Sequence, residues 1–258
     1  MKRIGIIGVG EIGRAIVMGL RHGEEAGPEV LLSPRGARTA AELADRYEDV
    51  RVCADNQEVV DGSDLVIVAL RRQDWRAALA GLEVPGDRIV VNVIPGVGTE
   101  ELRRVLATDA TVTHAIPLPP IRERRSVTVV HPSHPDVDAF FERLGGALPV
   151  ADEAALNVLS ALTSTLTTHY AFLTTLVSWA ADQGVPAEDA DRFVRGVFQE
   201  VGRSLGDGAH SLERLAADHE TPGGSNERIR TTWFDQANSD ALRTALDGLV
   251  TDLHAGHR

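Results

Sequence analysis

Lysine is all but missing from this 258-residue chain: Lys2 is the only one. It precedes the first expected strand. Schiff-base chemistry, pyridoxal phosphate attachment and lysine general acids are therefore disfavoured. Cysteine is equally scarce, with Cys53 alone. No disulfide can form within one chain, and a reducing, cytoplasmic setting is the expectation. No apolar run approaches the roughly 18 residues of a membrane span. Gly8, Gly10 and Glu11 interrupt the N-terminal apolar stretch too early for a signal peptide. Positive charge is in deficit too. A formal net charge of −12 argues against nucleic acid or an anionic membrane as partner. What is present is ample apolar material, 43% of residues, enough to build cores in one large domain or two ordinary ones.

The first half alternates strand and helix. RIGIIG, EVLLS, RVCA, DLVIVAL, RIVVNVI, VTHAIP, SVTVVHP and LPVAD are short apolar runs. ARTAAELADRY, NQEVVDG and DVDAFFERLGG between them have helical character. This order predicts an α/β domain with a mainly parallel sheet, helices on both faces, over residues 1–151. From residue 152 to 258 the strand signals stop and an all-α domain is expected. Its first helix should run uninterrupted from Glu153 to the stop at Gly184-Val185-Pro186. Leu166, Tyr170, Phe172, Leu173, Leu176 and Val177 place apolar side chains on more than one face of it. Such a helix needs cover, from a second copy of the chain or from a tight helical cap within a monomer.

Gly8, Gly10 and Gly13 complete G-x-G-x-x-G in the segment GVGEIG. The motif follows a strand, opens a helix and begins a βαβ pattern, the context of a Rossmann dinucleotide site. Gly8 permits the tight turn, Gly10 lets the backbone approach a pyrophosphate, and Gly13 allows close helix–strand packing. Val9, Glu11 and Ile12 complete the loop, and the helix N-terminus offers N–H groups to phosphate. An NAD site usually carries Asp or Glu at the end of the second strand, about 20 residues on. Here that end reads Ser33-Pro34-Arg35. A hydroxyl and a guanidinium suit a 2′-phosphate, which favours NADP(H) over NAD(H).

With these features in place, the chain resembles the pyrroline-5-carboxylate reductase family along nearly its whole length. GVGEIG resembles the family's phosphate loop and NQEVVDGSDLVIVAL its Asn-containing stretch and fourth strand. VNVIPGV is similar to SIAAGV, HAIPLPP to RxMPNTP, and Thr221-Pro222-Gly223-Gly224-Ser225 to the signature SPGGT. The resemblance implies an N-terminal Rossmann domain and a helical dimerisation domain. It implies Asn56, Ala69, Leu70 and Arg71 near the adenosine and ribose, and Pro95, Gly96 and Val97 near the nicotinamide. It also implies that the loop from Thr221 through Gly223, Gly224, Ser225 and Asn226 holds a substrate carboxylate. The local residues admit a second reading, in which Ser225 or Asn226 caps the next helix.

The activity implied is NADPH-dependent reduction of a cyclic imine carboxylate, 1-pyrroline-5-carboxylate first. A protonated imine is already electrophilic, so orientation matters more than a strong acid. Thr167, His169 and Tyr170 are the candidates for holding or delivering the imine proton. For His169 a helix-surface or interface histidine is the favoured alternative, since a lone His is rarely diagnostic. Departures from the family lie at TSTLTTHYAF, Arg71-Arg72-Gln73 and Ile116-Pro117-Leu118-Pro119-Pro120, where a different imine or ketimine would be accommodated. A β-hydroxyacid dehydrogenase is disfavoured by the missing lysine. A non-catalytic NADP-binding regulator is the reading from another class. No metal site is expected, since His131 and His134 lack supporting ligand spacing.

Overall fold

The computed structural model describes residues 3–23 and 27–255. Lys2, and the expectation attached to it, lies outside them. The chain divides into two compact units, Met1–Ser160 with Thr251–Arg258, and Ala161–Val250.

In the first unit the order is β1 (Arg3–Ile7), α1 (Glu11–Leu20), β2 (Glu29–Leu32), α2 (Ala37–Arg46), β3 (Val50–Val52), α3 (Asn56–Gly62) and β4 (Leu65–Val68). It continues through α4 (Trp75–Leu79), β5 (Ile89–Asn92), α5 (Thr99–Leu106), β6 (Thr111–Ile116), β7 (Thr128–His131), α6 (Pro135–Glu142) and β8 (Ala147–Pro149). The strands form one sheet in the order β3-β2-β1-β4-β5-β6-β7-β8. Every neighbouring pair is parallel except β6 and β7. This is the doubly wound Rossmann arrangement.

Side-chain alternation explains why the central strands are apolar throughout. Ile4, Ile6, Val30, Leu32, Leu65 and Ile67 enter one core cluster, with Ile16 and Leu20 of α1 and Phe141 of α6. Ile7, Leu31, Val66 and Val68 enter the other, with Val59 of α3, Leu79 of α4 and Leu102 of α5. Each fully buried Leu, Ile or Phe contributes about 1.5–3 kcal/mol over an exposed one. Polar replacements on either face would therefore be costly, and the alternation of polar and apolar residues seen in one-sided sheets is missing. Helices α4 and α5 were not foreseen from the sequence. Their apolar content, Trp75 and Leu79 in one and Leu102 and Leu106 in the other, is sparse within short segments but suffices to cover the sheet.

Beyond β8 follow α7 (Glu153–Thr163), α8 (Thr165–Asp182), α9 (Ala187–Ser204), α10 (Leu212–Asp218), α11 (Ser225–Trp233) and α12 (Gln236–Ala255). The single helix expected from Glu153 to Gly184 is two, parted at Ser164. Thr165 Oγ1 donates to the Leu162 carbonyl at 2.8 Å, and Ser164 N–H turns back to the Ala161 carbonyl. A Thr-Ser-Thr run offers the backbone side-chain alternatives to the helical ladder, which apolar periodicity does not register.

In the second unit the side chains meet through aromatic rings. Phe172 of α8 stacks on Trp233 of α11 with centroids 5.2 Å apart, and meets Phe198 of α9 edge-on at 5.7 Å. Yet α8 and α11 hold no fully buried residue and α9 holds only Ala190. Trp179 is 64% exposed and Phe193 73%. Among the described residues no helix is long and apolar enough to cross a membrane.

Candidate functional site

β1 has β2 on one side and β4 on the other, so a crevice opens at their carboxyl ends, where such sheets take ligands. The structure places the glycine motif there. Gly8 leaves β1 with φ +98°, and a Cβ on it would fall against the Ala69 carbonyl oxygen. Gly13, in the first turns of α1, approaches the Gly8 carbonyl so closely that a Cβ would sit 2.7 Å from its oxygen. Gly10 is different: a Cβ there would meet nothing within 4 Å. Gly10 is also the N-cap of α1, and no side chain caps that helix. The first N–H groups of α1 therefore face the crevice with no intrahelical acceptor.

A cleft of about 330 Å³ lies here, lined by Gly8, Val9, Gly10, Arg35, Gly36, Ala69, Leu70, Arg71 and Asp74. Its size is at the lower end of small-molecule sites. Open glycine backbone, an uncapped helix start and two guanidiniums fit the pyrophosphate and phosphate groups of a dinucleotide. Seven of the sequence-predicted cofactor residues thus share one wall-to-wall cleft: Gly8, Val9, Gly10, Arg35, Ala69, Leu70 and Arg71.

The others lie elsewhere or act differently. Ser33 was expected to face a 2′-phosphate; it is fully buried, and its Oγ accepts from the Gly8 N–H at 3.0 Å. It pins the phosphate loop to the residue that follows β2. Asn56 donates from Nδ2 to the Ala78 carbonyl at 2.8 Å, tying α3 to α4, and does not line the cleft. Glu11 is exposed and reaches Arg122 at 3.5 Å, Ile12 packs on the core, and Gly13 is buried. Pro95 and Gly96 form the turn after β5. Gly96 has φ +67°, and a Cβ there would lie 2.5 Å from an Arg72 guanidinium nitrogen.

Two contributors escaped the sequence reading. Asn92 is fully buried; its Nδ2 donates to the Val97 carbonyl at 2.6 Å and its Oδ1 accepts from the Ile94 N–H at 3.0 Å. It therefore shapes the 93–97 turn, a role that Asn before a Pro-Gly turn could have signalled. Asp74 lines the cleft and pairs with Arg35 at 3.0 Å.

In the helical unit, the Thr221–Ser225 loop is a closed turn. Gly223 has φ +73°, Gly224 N–H donates to the Thr221 carbonyl at 2.7 Å, and a Cβ on Gly224 would strike Thr221 Oγ1. Gly224 is the N-cap of α11 and no side chain caps it, so neither Ser225 nor Asn226 takes the capping role. Asn226 instead donates from Nδ2 to the His219 carbonyl at 2.6 Å. The Glu227 carboxylate accepts from the Gly223 N–H at 2.5 Å. Arg230 clasps Glu220 with bonds of 2.5 and 3.0 Å, and that hydrogen bonding holds the Glu220 carboxyl below its ordinary pKa.

Residues 3–96, which carry the glycine loop and both walls of the cleft, match a family model described as "NADP oxidoreductase coenzyme F420-dependent". The pyrroline-5-carboxylate reductase of Synechocystis sp. is 26% identical over 195 residues, spanning 72% of this chain and 70% of that protein. The structure of a pyrroline-5-carboxylate reductase from Coxiella burnetii superimposes with a TM-score of 0.82 at 18% identity, covering 99% of this chain and 98% of that one. The pyrroline carboxylate reductase of Plasmodium falciparum, solved with NADP bound, gives 0.81 at 12% identity, covering 100% and 98%. The chain is thus similar in sequence to these pyrroline-5-carboxylate reductases and shares their fold.

The candidates for the imine proton lie on α8. Thr167, His169 and Tyr170 are exposed on this helix, Tyr170 by 68%. His169 lies edge-on to Phe198 at 5.9 Å and within 6.5 Å of Phe172. The imidazole thus sits at the margin of the aromatic cluster that joins α8, α9 and α11. Both the proton-holding and the interface readings of His169 use that same exposed face. Among the described residues no group of three or more His, Cys, Asp or Glu side chains is placed to hold a metal ion.

Proposed function

We propose that this chain is an NADPH-dependent reductase of a cyclic imine carboxylate, with 1-pyrroline-5-carboxylate as the first candidate substrate. The observation that carries the reading is the open Gly10 backbone at the uncapped start of α1, in a cleft that also holds Arg35 and Arg71. When bound, the reduced nicotinamide supplies a hydride to the electrophilic imine carbon.

The roles left to the chain are binding and orientation. The α1 N-terminus and Gly10 take the pyrophosphate. Arg35 takes the 2′-phosphate, while Ala69, Leu70 and Arg71 line the adenosine side. In the helical unit, Ser225, Asn226 and the start of α11 receive the substrate carboxylate. Thr167, His169 or Tyr170 holds the imine proton. Residues 1–151 form the NADP-binding domain and 152–258 the substrate-binding and dimerisation domain.

Self-association is part of the same proposal. A groove of about 980 Å³ between α8 and α9 is lined by Leu176, Trp179, Val185, Phe193 and Val197 among others. Apolar surface on this scale calls for a partner, and a second copy of the helical unit supplies one of matching character.

The test is turnover. Purified protein with NADPH should show absorbance loss that depends on added 1-pyrroline-5-carboxylate and yields proline. Tight NADPH binding without oxidation across a panel of cyclic imines would overturn the enzymatic reading and favour a regulator. Oxidation with another imine alone would keep the chemistry and replace the substrate. Arg35→Ala should raise KM for NADPH far more than for NADH; equal effects would remove Arg35 from the 2′-phosphate.

A further inference from the structure

Arg35 and Asp74 come from opposite sides of the cofactor cleft. Arg35 follows β2, Asp74 precedes α4 after β4, and β1 with its glycine loop lies between those strands. Arg35 Nη2 and Asp74 Oδ2 are nevertheless 3.0 Å apart, and both residues line the cleft. The ion pair therefore spans the crevice above the end of β1.

Asp74 is committed to that span in preference to a local role. It occupies the N-cap position of α4, where an Asp ordinarily accepts from the backbone of its own helix. Its side chain makes no such bond. The carboxylate is turned outward to Arg35 instead. The pair is half exposed, with 50% of the Arg35 side chain and 34% of the Asp74 side chain accessible. Such pairs are weak and exchangeable, which suits a contact that a ligand must replace. Arg71, on the same wall as Asp74, makes no ion pair among the described residues and leaves the cleft one guanidinium not engaged with a carboxylate.

We propose that Asp74 is a specificity-determining residue that competes with the 2′-phosphate of NADP(H) for Arg35, so that cofactor entry transfers Arg35 from carboxylate to phosphate. This rests on the dinucleotide reading of the cleft. A phosphate dianion outbids a carboxylate for a guanidinium through its charge and bidentate geometry. A ribose 2′-hydroxyl cannot, so NAD(H) must enter past a closed clasp or leave Arg35 where it is. Asp74 lowers NADPH affinity by occupying its ligand and by facing the phosphate with like charge.

The experiment measures dissociation constants of NADPH and NADH by titration for wild type, Asp74→Asn, Asp74→Glu, Arg35→Ala and the Arg35→Ala/Asp74→Asn double variant. Asp74→Asn should tighten NADPH by about two- to fivefold, the range an exposed ion pair supports, and leave NADH within about twofold. Asp74→Glu should restore the wild-type affinity. The gain should shrink in the Arg35→Ala background, and at high salt, where the pair is screened. An unchanged or weaker NADPH affinity in Asp74→Asn overturns the proposal. So does a loss confined to NADH, which would make Asp74 a 2′-hydroxyl ligand. So does an undiminished gain without Arg35. Failure of the wild type to bind either dinucleotide would overturn the cofactor reading itself, and the clasp with it.

Discussion

Two glycine-rich loops each open a helix in this molecule, and they are built in opposite ways. GVGEIG hangs from the end of a buried strand, with neighbours on both sides in the sheet. Its fixing points are beneath it: Ser33 takes the Gly8 N–H, and Ala69 crowds the position of a Gly8 side chain. Its outer surface at Gly10 is left open. TPGGS joins two helices and is held by side chains from its own surroundings: Glu227 on Gly223, Asn226 on His219, Arg230 on Glu220. One loop leaves its outer backbone open by having its scaffold beneath it. The other carries a carboxylate of its own at the place where an anion would be received.

The sharpest way to break the comparison is within the first loop. Gly8→Val forces a branched side chain into φ +98° and onto the Ala69 carbonyl. Strain and clash together cost roughly 3 kcal/mol or more, a large part of a domain's stability. Thermal or urea unfolding should show a collapsed transition or no folded protein. Gly10→Ala is its counterpart. The residue has φ −87°, and the new methyl meets no protein atom. Tm should stay within a degree or two of wild type while NADPH affinity falls about tenfold or more, since on the proposed reading the methyl stands in the path of the phosphate. A Gly10→Ala protein that binds NADPH normally would remove the loop from the phosphate site.

The contrast also explains what could be read from the residues alone. The Rossmann half was legible because its signals are local and periodic: apolar strand runs, the spacing of three glycines, and the 56–62 helix, whose N-cap Asp55 accepts from Glu58. The cleft was legible wherever backbone makes it, at Gly8, Gly10 and Ala69. It was misread at Ser33, because its hydroxyl is taken up by the Gly8 N–H, a contact between neighbouring strand ends that sequence spacing does not reveal. Asp74 escaped because its partner is 39 positions away across a crevice, and sequence spacing carries no sign of that pair. The break at Ser164 escaped because hydroxyl side chains compete for the backbone without altering the apolar pattern.

A smaller effect separates the second loop from the first. Gly224 has φ −79°, so its glycine is required by space alone: a side chain would collide with Thr221. Gly224→Val should open the turn at a cost of about 1–3 kcal/mol. The imine substrate should show a raised KM, while NADPH affinity measured in its absence stays unchanged. Joint loss of both would assign Gly224 to the integrity of the fold.

The finest test concerns Glu227. Its carboxylate lies in the first turn of α11, where negative charge stabilises the helix by about 0.3–1 kcal/mol. That stabilisation is drawn from the same field that would attract a substrate carboxylate, and two anions at one helix start repel. Glu227→Gln keeps an oxygen to accept from the Gly223 N–H and removes the charge. The helix should lose a little stability, and a carboxylate-bearing imine should bind about two- to fivefold more tightly, seen as a lower KM with kcat little changed. An imine of similar shape without the carboxylate should show no gain. If both imines respond alike, the loop is a structural turn, and the substrate anion must be sought elsewhere on the helical unit.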